Sequence, residues 1–80
     1  MKKTLQYIVS SIVDNPKEIK INEEELDGIL TFTVQVADED MGKIIGKNGK
    51  VIRAIRNLMR IPAIKQNKRI NISLAETPKQ

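Results

Sequence analysis

Two glycines three positions apart, Gly46 and Gly49, enclose the residues of this chain that are best suited to contact a phosphate. Lys47 and Asn48 lie between them and supply a positive charge and an amide donor. Glycine has no Cβ, so it adopts positive φ angles and lets another chain approach the backbone closely. A helix that follows at Lys50 would offer free backbone amides and a favourable dipole to an anion. These four residues, here called the glycine turn, therefore favour contact with a sugar–phosphate backbone.

Other glycine motifs that bind phosphates do not fit this spacing. A Walker loop needs GxxxxGK followed by Ser or Thr, but Gly42 is one residue too close to Gly46, and asparagine follows the lysine. A dinucleotide fingerprint needs GxGxxG after a strand, whereas this segment has GxxxGxxG between predicted helices. A plain turn between two helices remains open, because glycine commonly follows a helix C-terminus. The isoleucines that flank the turn and the basic helix after it favour the phosphate-contacting interpretation.

Positive charge is concentrated in the second half of the chain. The 80 residues include 14 basic and 10 acidic side chains, for a net charge of +4. Residues 1–40 hold four basic and nine acidic residues, whereas residues 41–75 hold nine basic residues and no acidic one. A long segment with only one sign of charge favours a polyanionic partner over a merely solubilising surface.

The helix predicted over residues 50–60 carries much of this charge on one side. At 3.6 residues per turn, Arg53, Arg56 and Arg60 fall nearly opposite the apolar arc. That arc consists of Val51, Ile52, Ile55, Leu58 and Met59. Because no acidic residue lies four positions away to pair with the arginines, the basic side is typical of a surface that faces phosphates.

Cysteine and histidine are both absent. Their absence excludes a disulfide scaffold, a cysteine-ligated zinc site, thiol catalysis and the most common general base. Carboxylates cluster at residues 23–25 and 38–40, which are interpreted as a polar turn and a helix start, since neither has the spacing of a calcium loop. We therefore expect no enzymatic activity, no metal and no cofactor. No apolar run has the length of a membrane span and no signal-peptide pattern is present, so we expect a cytoplasmic protein without membrane contact.

Hydrophobic periodicity predicts the element order α-β-β-α-α-β. The stripe of the first helix consists of Leu5, Ile8, Val9, Ile12 and Val13. Asn15-Pro16 ends this helix, because proline disfavours helical geometry in the residue before it. A short strand at residues 19–21 and a polar turn at residues 23–28 lead to the clearest strand, at residues 30–36, where apolar and polar side chains alternate.

The remaining predicted elements surround the glycine turn. Asp38 is the expected cap of a short helix that ends at Ile45, and a second helix begins at Lys50. Pro62 is expected to end the second helix. Apolar residues alternate in a last strand at residues 70–74. A chain of this length has room for one small core, followed by a loose tail at residues 77–80.

Residues 44–52, IIGKNGKVI, resemble the I-I-G-x-x-G-x-x-I signature of KH domains. The element order resembles the bacterial, type II arrangement, and residues 39–56 are similar to the KhpA family of stand-alone bacterial KH-domain proteins. The resemblance implies an α+β fold, with a single type II-like KH domain over residues 1–76 and helices packed on one face of a three-stranded sheet. Asp38 stands where the family often has proline, which should affect only the helix start. Residues 61–67 are less typical of the family, so the far wall of a binding groove stays unassigned.

The resemblance also implies a binding site for single-stranded RNA. The glycine turn would clamp the backbone of about four nucleotides. Ile44, Ile45 and Ile52 would support the helices and an aliphatic floor for bases. The candidate RNA-binding residues are Lys43, Ile45, Gly46, Lys47, Asn48, Gly49, Lys50, Ile52, Arg53 and Arg56.

Tyr7 and Phe32 are the only aromatic residues, so the base stacking used by RNA-recognition motifs and OB-folds is scarcely available. A single domain should therefore bind with modest affinity, and a homodimer or a second RNA-binding protein would add avidity. The family is associated with self-association, with pairing to a larger multidomain KH protein, KhpB, with RNA-chaperone roles and with control of cell elongation. Ile61 and Ile64 either face such a partner or lie in the core.

Two hypotheses follow for the function. The first is a small single-stranded RNA-binding protein that acts as an RNA chaperone or post-transcriptional regulator. The second is a dimerising protein-interaction module whose basic face binds polyanions only nonspecifically. Only the first makes Lys47 and Asn48 essential. Both RNA and single-stranded DNA satisfy the motif, because contacts to a 2′-hydroxyl leave no sequence pattern.

Overall fold

Three strands form one mixed sheet, and helices pack on one of its faces. The computed structural model describes residues 1–75, so the predicted tail at residues 77–80 and the domain boundary at residue 76 lie outside the described residues. The elements are α1 (Lys2–Ser10), β1 (Lys20–Leu26), β2 (Ile29–Gln35), α2 (Met41–Ile45), α3 (Lys50–Lys65) and β3 (Arg69–Leu74). Single 3-10 turns occupy Pro16–Glu18, Asp38–Asp40 and Lys47–Gly49. The predicted element order and the α+β class are confirmed.

The sheet has the order β1-β2-β3, with β2 in the centre. β1 and β2 are antiparallel and are joined by the two-residue turn Asp27-Gly28. Both turn residues have positive φ, 53° and 78°, which suits the twist of a tight hairpin. β3 is parallel to β2 and forms the opposite edge from β1. α3 packs against β3, so the free edge of that strand borders the helix.

Alternate residues of β2 form the centre of the core, as the strand periodicity predicts. Leu30, Phe32 and Val34 are at most 5% exposed. Around them pack Leu5, Val9, Val13, Val36, Ile44, Ile52, Ile55, Met59 and Ile72. Because α2 enters this core through Ile44 and α3 through Ile52, the turn between the two helices is anchored on both sides.

The prediction of a turn at residues 23–28 is wrong, because β1 continues through Glu23, Glu24 and Glu25 to Leu26. The edge position of β1 explains the error. Charged side chains at a sheet edge stay in solvent and discourage pairing with other chains. The strand therefore lacks the apolar alternation from which strands are recognised in a sequence.

The first helix is shorter than predicted. α1 ends at Ser10, five residues before Asn15. The hydroxyls of Ser10 and Ser11 both donate to the carbonyl oxygen of Tyr7 at 2.9 Å, and such bonds compete with continuation of a helix. Val13, which was expected on the helix, enters the core from the connecting segment.

The prediction that Pro62 ends the helix after the glycine turn is also wrong. That helix, α3, continues three residues beyond the proline. Ala63, immediately after the proline, is only 3% exposed, and its burial holds the last turn against the core. The helix is closed by Asn67, which has a φ of 53°. The amide of Asn67 donates to the carbonyl of Ile64, and the amide of Lys68 donates to that of Ala63. This is the bond pattern of a Schellman cap, so the stop signal is the asparagine rather than the proline.

Candidate nucleic-acid interface

The turn between α2 and α3 requires glycine at Gly46 for two separate reasons. The residue has φ 74° and ψ 174°, a conformation that side chains disfavour. A Cβ at this position would lie 2.4 Å from Cγ2 of Val51 and 2.8 Å from the backbone nitrogen of Val51. The first turn of α3 therefore packs directly on Gly46, and no larger residue fits between the two helices.

The rest of the glycine turn exposes its polar groups. Asn48 and Gly49 both have left-handed geometry, with φ of 56° and 72°, and the Gly49 amide donates to the Gly46 carbonyl at 3.2 Å. The side chains of Lys47 and Asn48 are exposed, as is that of Lys50. Within residues 1–75 neither of these lysines forms an ion pair. Gly46 ends α2 and Gly49 precedes α3, as the sequence predicts.

Arg53 braces the glycine turn from the next turn of α3. Its Nε donates to the carbonyl of Gly49 at 3.3 Å, and its Nη2 donates to the carbonyl of Asn48. Both carbonyls belong to residues with left-handed geometry, so the guanidinium holds the least favourable part of the turn in place. A guanidinium has five N–H groups, which leaves donors for a ligand as well. The sequence predicts the position of Arg53 but not this internal contact.

Arg56 links α3 to the free edge of the sheet. Its Nε and Nη2 both donate to the carbonyl oxygen of Ile72, at 3.3 Å and 3.2 Å. The amide of Ala75 donates to Val34 of β2. Since alternate residues of a strand direct their backbone groups to opposite sides, the carbonyl of Ile72 faces away from β2. The guanidinium therefore spans the space between α3 and β3.

A groove of about 570 Å³ runs between α3 and the free edge of β3. It is lined by Arg53, Arg56, Asn57 and Arg60 of α3, by Ile70, Asn71, Ile72 and Ser73 of β3, and by Thr31 of β2. β3 thus provides the wall that the sequence leaves unassigned. Among the groove residues that were not candidates, Arg60 follows Arg53 by seven positions, so helical spacing signals it. No comparable signal marks Asn57 or Asn71, because their position depends on how α3 packs beside β3.

The apolar candidates differ in how accessible they are. Ile45 is 39% exposed next to the glycine turn, so a ligand can reach it. Ile52 is only 7% exposed, and Ile44 is completely buried. These two isoleucines hold the helices together from beneath, and their contribution to a site is through the position of the turn.

Lys43, on α2, forms an ion pair with Asp14. The hydrogen bond to the Asp14 carboxylate, reinforced by the charges of Asp14 and Asp40, raises the pKa of Lys43 above its ordinary value. Both partners are substantially exposed, at 45% and 73%, and exposed ion pairs contribute little stability. The ion pair with Asp14 therefore holds Lys43 only weakly.

Asp40 is a buried carboxylate that the sequence assigns to a solvated acidic cluster. It is fully buried immediately before α2. The backbone amides of Asp14 and Asn15 donate to it at 3.1 Å and 3.0 Å, and the side-chain amide of Asn15 donates at 3.1 Å. Burial acts to raise the pKa of Asp40, but these hydrogen bonds and the charge of Lys43 together hold it below its ordinary value. Asp40 thereby ties the segment after α1 to the start of α2.

The predicted cap at Asp38 is wrong. The predicted helix start is a 3-10 turn, and α2 begins only at Met41. No side-chain hydrogen bond caps the start of the 3-10 turn or the start of α2. The carboxylate of Asp40, which precedes α2, accepts hydrogen bonds from the segment after α1 instead.

Residues 1–75 contain no group of three His, Cys, Asp or Glu side chains placed to hold a metal ion. Over the same residues, no helix combines the length and the apolar character needed to cross a membrane.

The fold and the glycine turn together define a class of protein. A domain with the order α-β-β-α-α-β and a G-x-x-G turn between two helices beside an edge strand is a KH domain of the type II arrangement. The model of the KhpA/KhpB KH-domain family matches residues 2–74. This chain therefore belongs to the KhpA/KhpB KH-domain family.

Relatives are similar over nearly the whole of both chains. The RNA-binding protein KhpA of Clostridium acetobutylicum is 39% identical over 74 residues, which cover 92% of this chain and 99% of the relative. A protein of the same name from Chlamydia pneumoniae is 40% identical over 76 residues, with 95% and 97% covered. The RNA-binding protein KhpA of Listeria monocytogenes is 38% identical over 76 residues, with 95% and 100% covered.

Proposed function

We propose that this protein binds single-stranded RNA and performs no chemistry on it. The observation that carries the proposal is the glycine turn at one end of the groove. There, Lys47 and Lys50 are exposed and without an ion-pair partner within residues 1–75, beside the first backbone amides of α3. The positive end of the α3 dipole and two cations form a site for consecutive phosphates of a flexible strand.

In this proposal the strand runs from the glycine turn into the groove between α3 and β3. Lys47, Asn48 and Lys50 contact the phosphates, with Lys43 as an additional cation. Ile45 contacts the first base, and Arg53 and Arg56 use their remaining N–H groups on the strand. Since Tyr7 and Phe32 are the only aromatic residues of the chain and Phe32 is buried, bases pack on aliphatic side chains rather than on rings.

We further propose that the protein acts in the cytoplasm as an RNA chaperone or post-transcriptional regulator. The names of the three relatives describe them as RNA-binding proteins. A groove that accepts only unpaired strands would favour open RNA over base-paired RNA, which is the physical basis of chaperone activity.

Binding is tested by fluorescence anisotropy of a labelled, unstructured RNA. The double variant Lys47→Asp/Asn48→Asp reverses one charge and adds another at the glycine turn, so we expect it to lose binding at least tenfold. Lys17→Asp/Asn22→Asp makes the same chemical change at two exposed positions outside the groove. This control variant should bind nearly as well as wild type. With three or four phosphate contacts, the log–log salt dependence of wild type should have a slope of roughly −2 to −3.

Equal binding by wild type and the glycine-turn variant, with both proteins folded, would contradict the proposed site. The alternative function, a dimerising interaction module with a nonspecific basic face, would then be favoured. The control variant separates the two outcomes, because nonspecific binding responds equally to both charge reversals.

We also propose that the protein self-associates through the outward side of α3. Leu58 and Ile61, three positions apart on α3, are 52% and 57% exposed. Ile64 is 72% exposed but lines the space beside β3. The sequence leaves Ile61 and Ile64 open between core and surface, and both lie at the surface. Exposed apolar side chains in a stripe are typical of a protein interface. A homodimer is the simplest partner, and a larger KhpB-like KH protein is the second candidate.

Sedimentation velocity tests self-association. Leu58→Glu/Ile61→Glu places two charges on the stripe, so the variant should sediment as a monomer at concentrations where wild type is a dimer. Arg69→Glu, at an exposed position on β3, should leave the sedimentation of wild type unchanged. A monomeric wild type at high micromolar concentration would contradict the homodimer and leave the larger KH protein as the candidate partner.

A further inference from the structure

The groove beside β3 continues past the part that lies near the glycine turn. A second compartment of about 360 Å³ shares Arg60, Ile70 and Asn71 with the first. Its other lining residues are Ile29, Ala63, Ile64, Lys68 and Arg69. It therefore lies toward the C-terminal end of α3, and Ile64 is 11 residues after Arg53, about 16 Å along the helix axis. We call this space the distal compartment.

The distal compartment combines an aliphatic floor with a cationic rim. Ile29 and Ile70 are half-buried in it, at the starts of β2 and β3. Arg60, Lys68 and Arg69 line the same space and bring three positive charges. This pairing of surfaces suits a group with one flat apolar face and one anionic end.

One carboxylate competes for these cations. Glu25 lies at the end of β1, with its Oε1 3.7 Å from Nζ of Lys68. The side chains of Lys68 and Glu25 are 40% and 52% exposed, so their ion pair is weak. A phosphate can displace the carboxylate, and the compartment keeps a net positive charge even while the pair is formed.

We propose that the distal compartment holds one or two further nucleotides of the same RNA strand that the glycine turn clamps. This inference rests on the proposed function. Two observations select a nucleotide as the occupant. The compartment is continuous with the groove, so a strand that leaves the clamp enters it directly, and its three cations match a phosphate. An apolar peptide side chain would fill the floor but leave Arg60 and Arg69 without an anionic partner among residues 1–75.

The consequence is a longer binding site than the four nucleotides that a G-x-x-G clamp grips. A base that packs on Ile29 and Ile70 adds affinity only when the strand is long enough to reach them. The protein should therefore discriminate RNA length in the range of four to six nucleotides, and the discrimination should depend on residues far from the glycine turn.

Oligouridines of four to eight nucleotides test this inference by anisotropy on the full chain. For wild type we expect the affinity to rise about fivefold to tenfold between four and six nucleotides. Two variants change the compartment: Lys68→Ala/Arg69→Ala removes two cations, and Ile29→Thr keeps a β-branched strand residue but reduces the apolar floor. Both should bind four nucleotides like wild type and lose most of the gain at six. A longer strand offers more positions at which a protein can bind, which raises the apparent affinity. This effect is the same for wild type and variants when they are compared on RNA of the same length.

Two further variants control the interpretation. Lys17→Ala/Lys20→Ala removes two exposed cations outside the groove and should keep the full gain with length. Glu25→Gln removes the competing carboxylate, so it should increase the affinity for six nucleotides and leave that for four unchanged. Thermal melts establish that each variant is folded.

An equal gain with length in wild type and in both compartment variants would overturn the inference while leaving the proposed function intact. A gain that is accompanied by fewer than one RNA per protein chain would also overturn it, because one strand would then bridge two chains. Absence of binding at every length would contradict the proposed function and the distal compartment together.

Discussion

Gly46 and Gly49 occupy matching places in the motif, but the structure constrains them differently. At Gly46 a Cβ would collide with Val51 at 2.4 Å, and φ is 74°. At Gly49 the φ of 72° and ψ of 20° are less unfavourable, because asparagine also adopts this left-handed conformation, and a Cβ would lie 3.9 Å from Cγ2 of Ile52. The first glycine is thus required by packing and by conformation, and the second by conformation alone.

Alanine substitutions should reveal this difference in stability. Gly46→Ala should lower the free energy of unfolding by about 3 kcal/mol, because overpacking adds to the conformational penalty. Gly49→Ala should lower it by about 1 kcal/mol. Gly42→Ala, inside α2 with open space around it, should instead be neutral or stabilising by up to about 1 kcal/mol. Urea unfolding measures all three, and equal losses at Gly46 and Gly49 would refute the packing argument.

α2 depends on its neighbours for its position. With five residues it is too short to be stable alone. Ile44 anchors it in the core, and Asp40 ties its start to the backbone of Asp14 and Asn15. Because α2 leads directly into the glycine turn, these contacts also fix the turn relative to α3.

Removal of the Asp40 charge should destabilise the fold in a pH-dependent way. The pKa of Asp40 lies below its ordinary value of 3.8 in the folded protein. Its ionised form therefore adds stability above that value, and this contribution is lost as the pH falls through the folded pKa. Asp40→Asn should be less stable than wild type at pH 7, with a gap that narrows below about pH 4. Asp38→Asn, at an exposed neighbour without a capping bond, should show neither effect. A gap that stays constant down to pH 2 would contradict the role of the charge.

Elements with an alternating or helical apolar pattern could be predicted from the sequence, and elements held by other contacts could not. β2 follows alternation because one of its faces is the core. β1 does not, because its acidic residues remain in solvent at an edge. The end of α3 depends on the cap at Asn67, and Pro62 misleads because the burial of Ala63 outweighs it. The G-x-x-G spacing predicts the turn, whereas the braces from Arg53 and Arg56 exist only after α3 has packed beside β3.

At the scale of the whole molecule, charge and sheet edges are arranged together. The acidic residues of β1 lie on one edge of the sheet, and the arginines of α3 border the other edge at β3. The small net charge of +4 hides this separation. An RNA strand is attracted to the β3 side and repelled from the β1 side, so it approaches the groove in a preferred orientation.

The central claim is that RNA binds along the groove from the glycine turn to β3, and amide chemical-shift mapping tests it most directly. Isotope-labelled protein is titrated with a six-nucleotide unstructured RNA, and the amide shifts are followed for each residue. We predict that the largest shifts fall on residues 46–50, on residues 53–60 of α3 and on residues 70–73 of β3, while the first part of β1, residues 20–23, is unaffected. Shifts spread evenly over lysines of both halves, including Lys2 and Lys3, would contradict the claim, as would shifts confined to the outward side of α3 at Leu58 and Ile61.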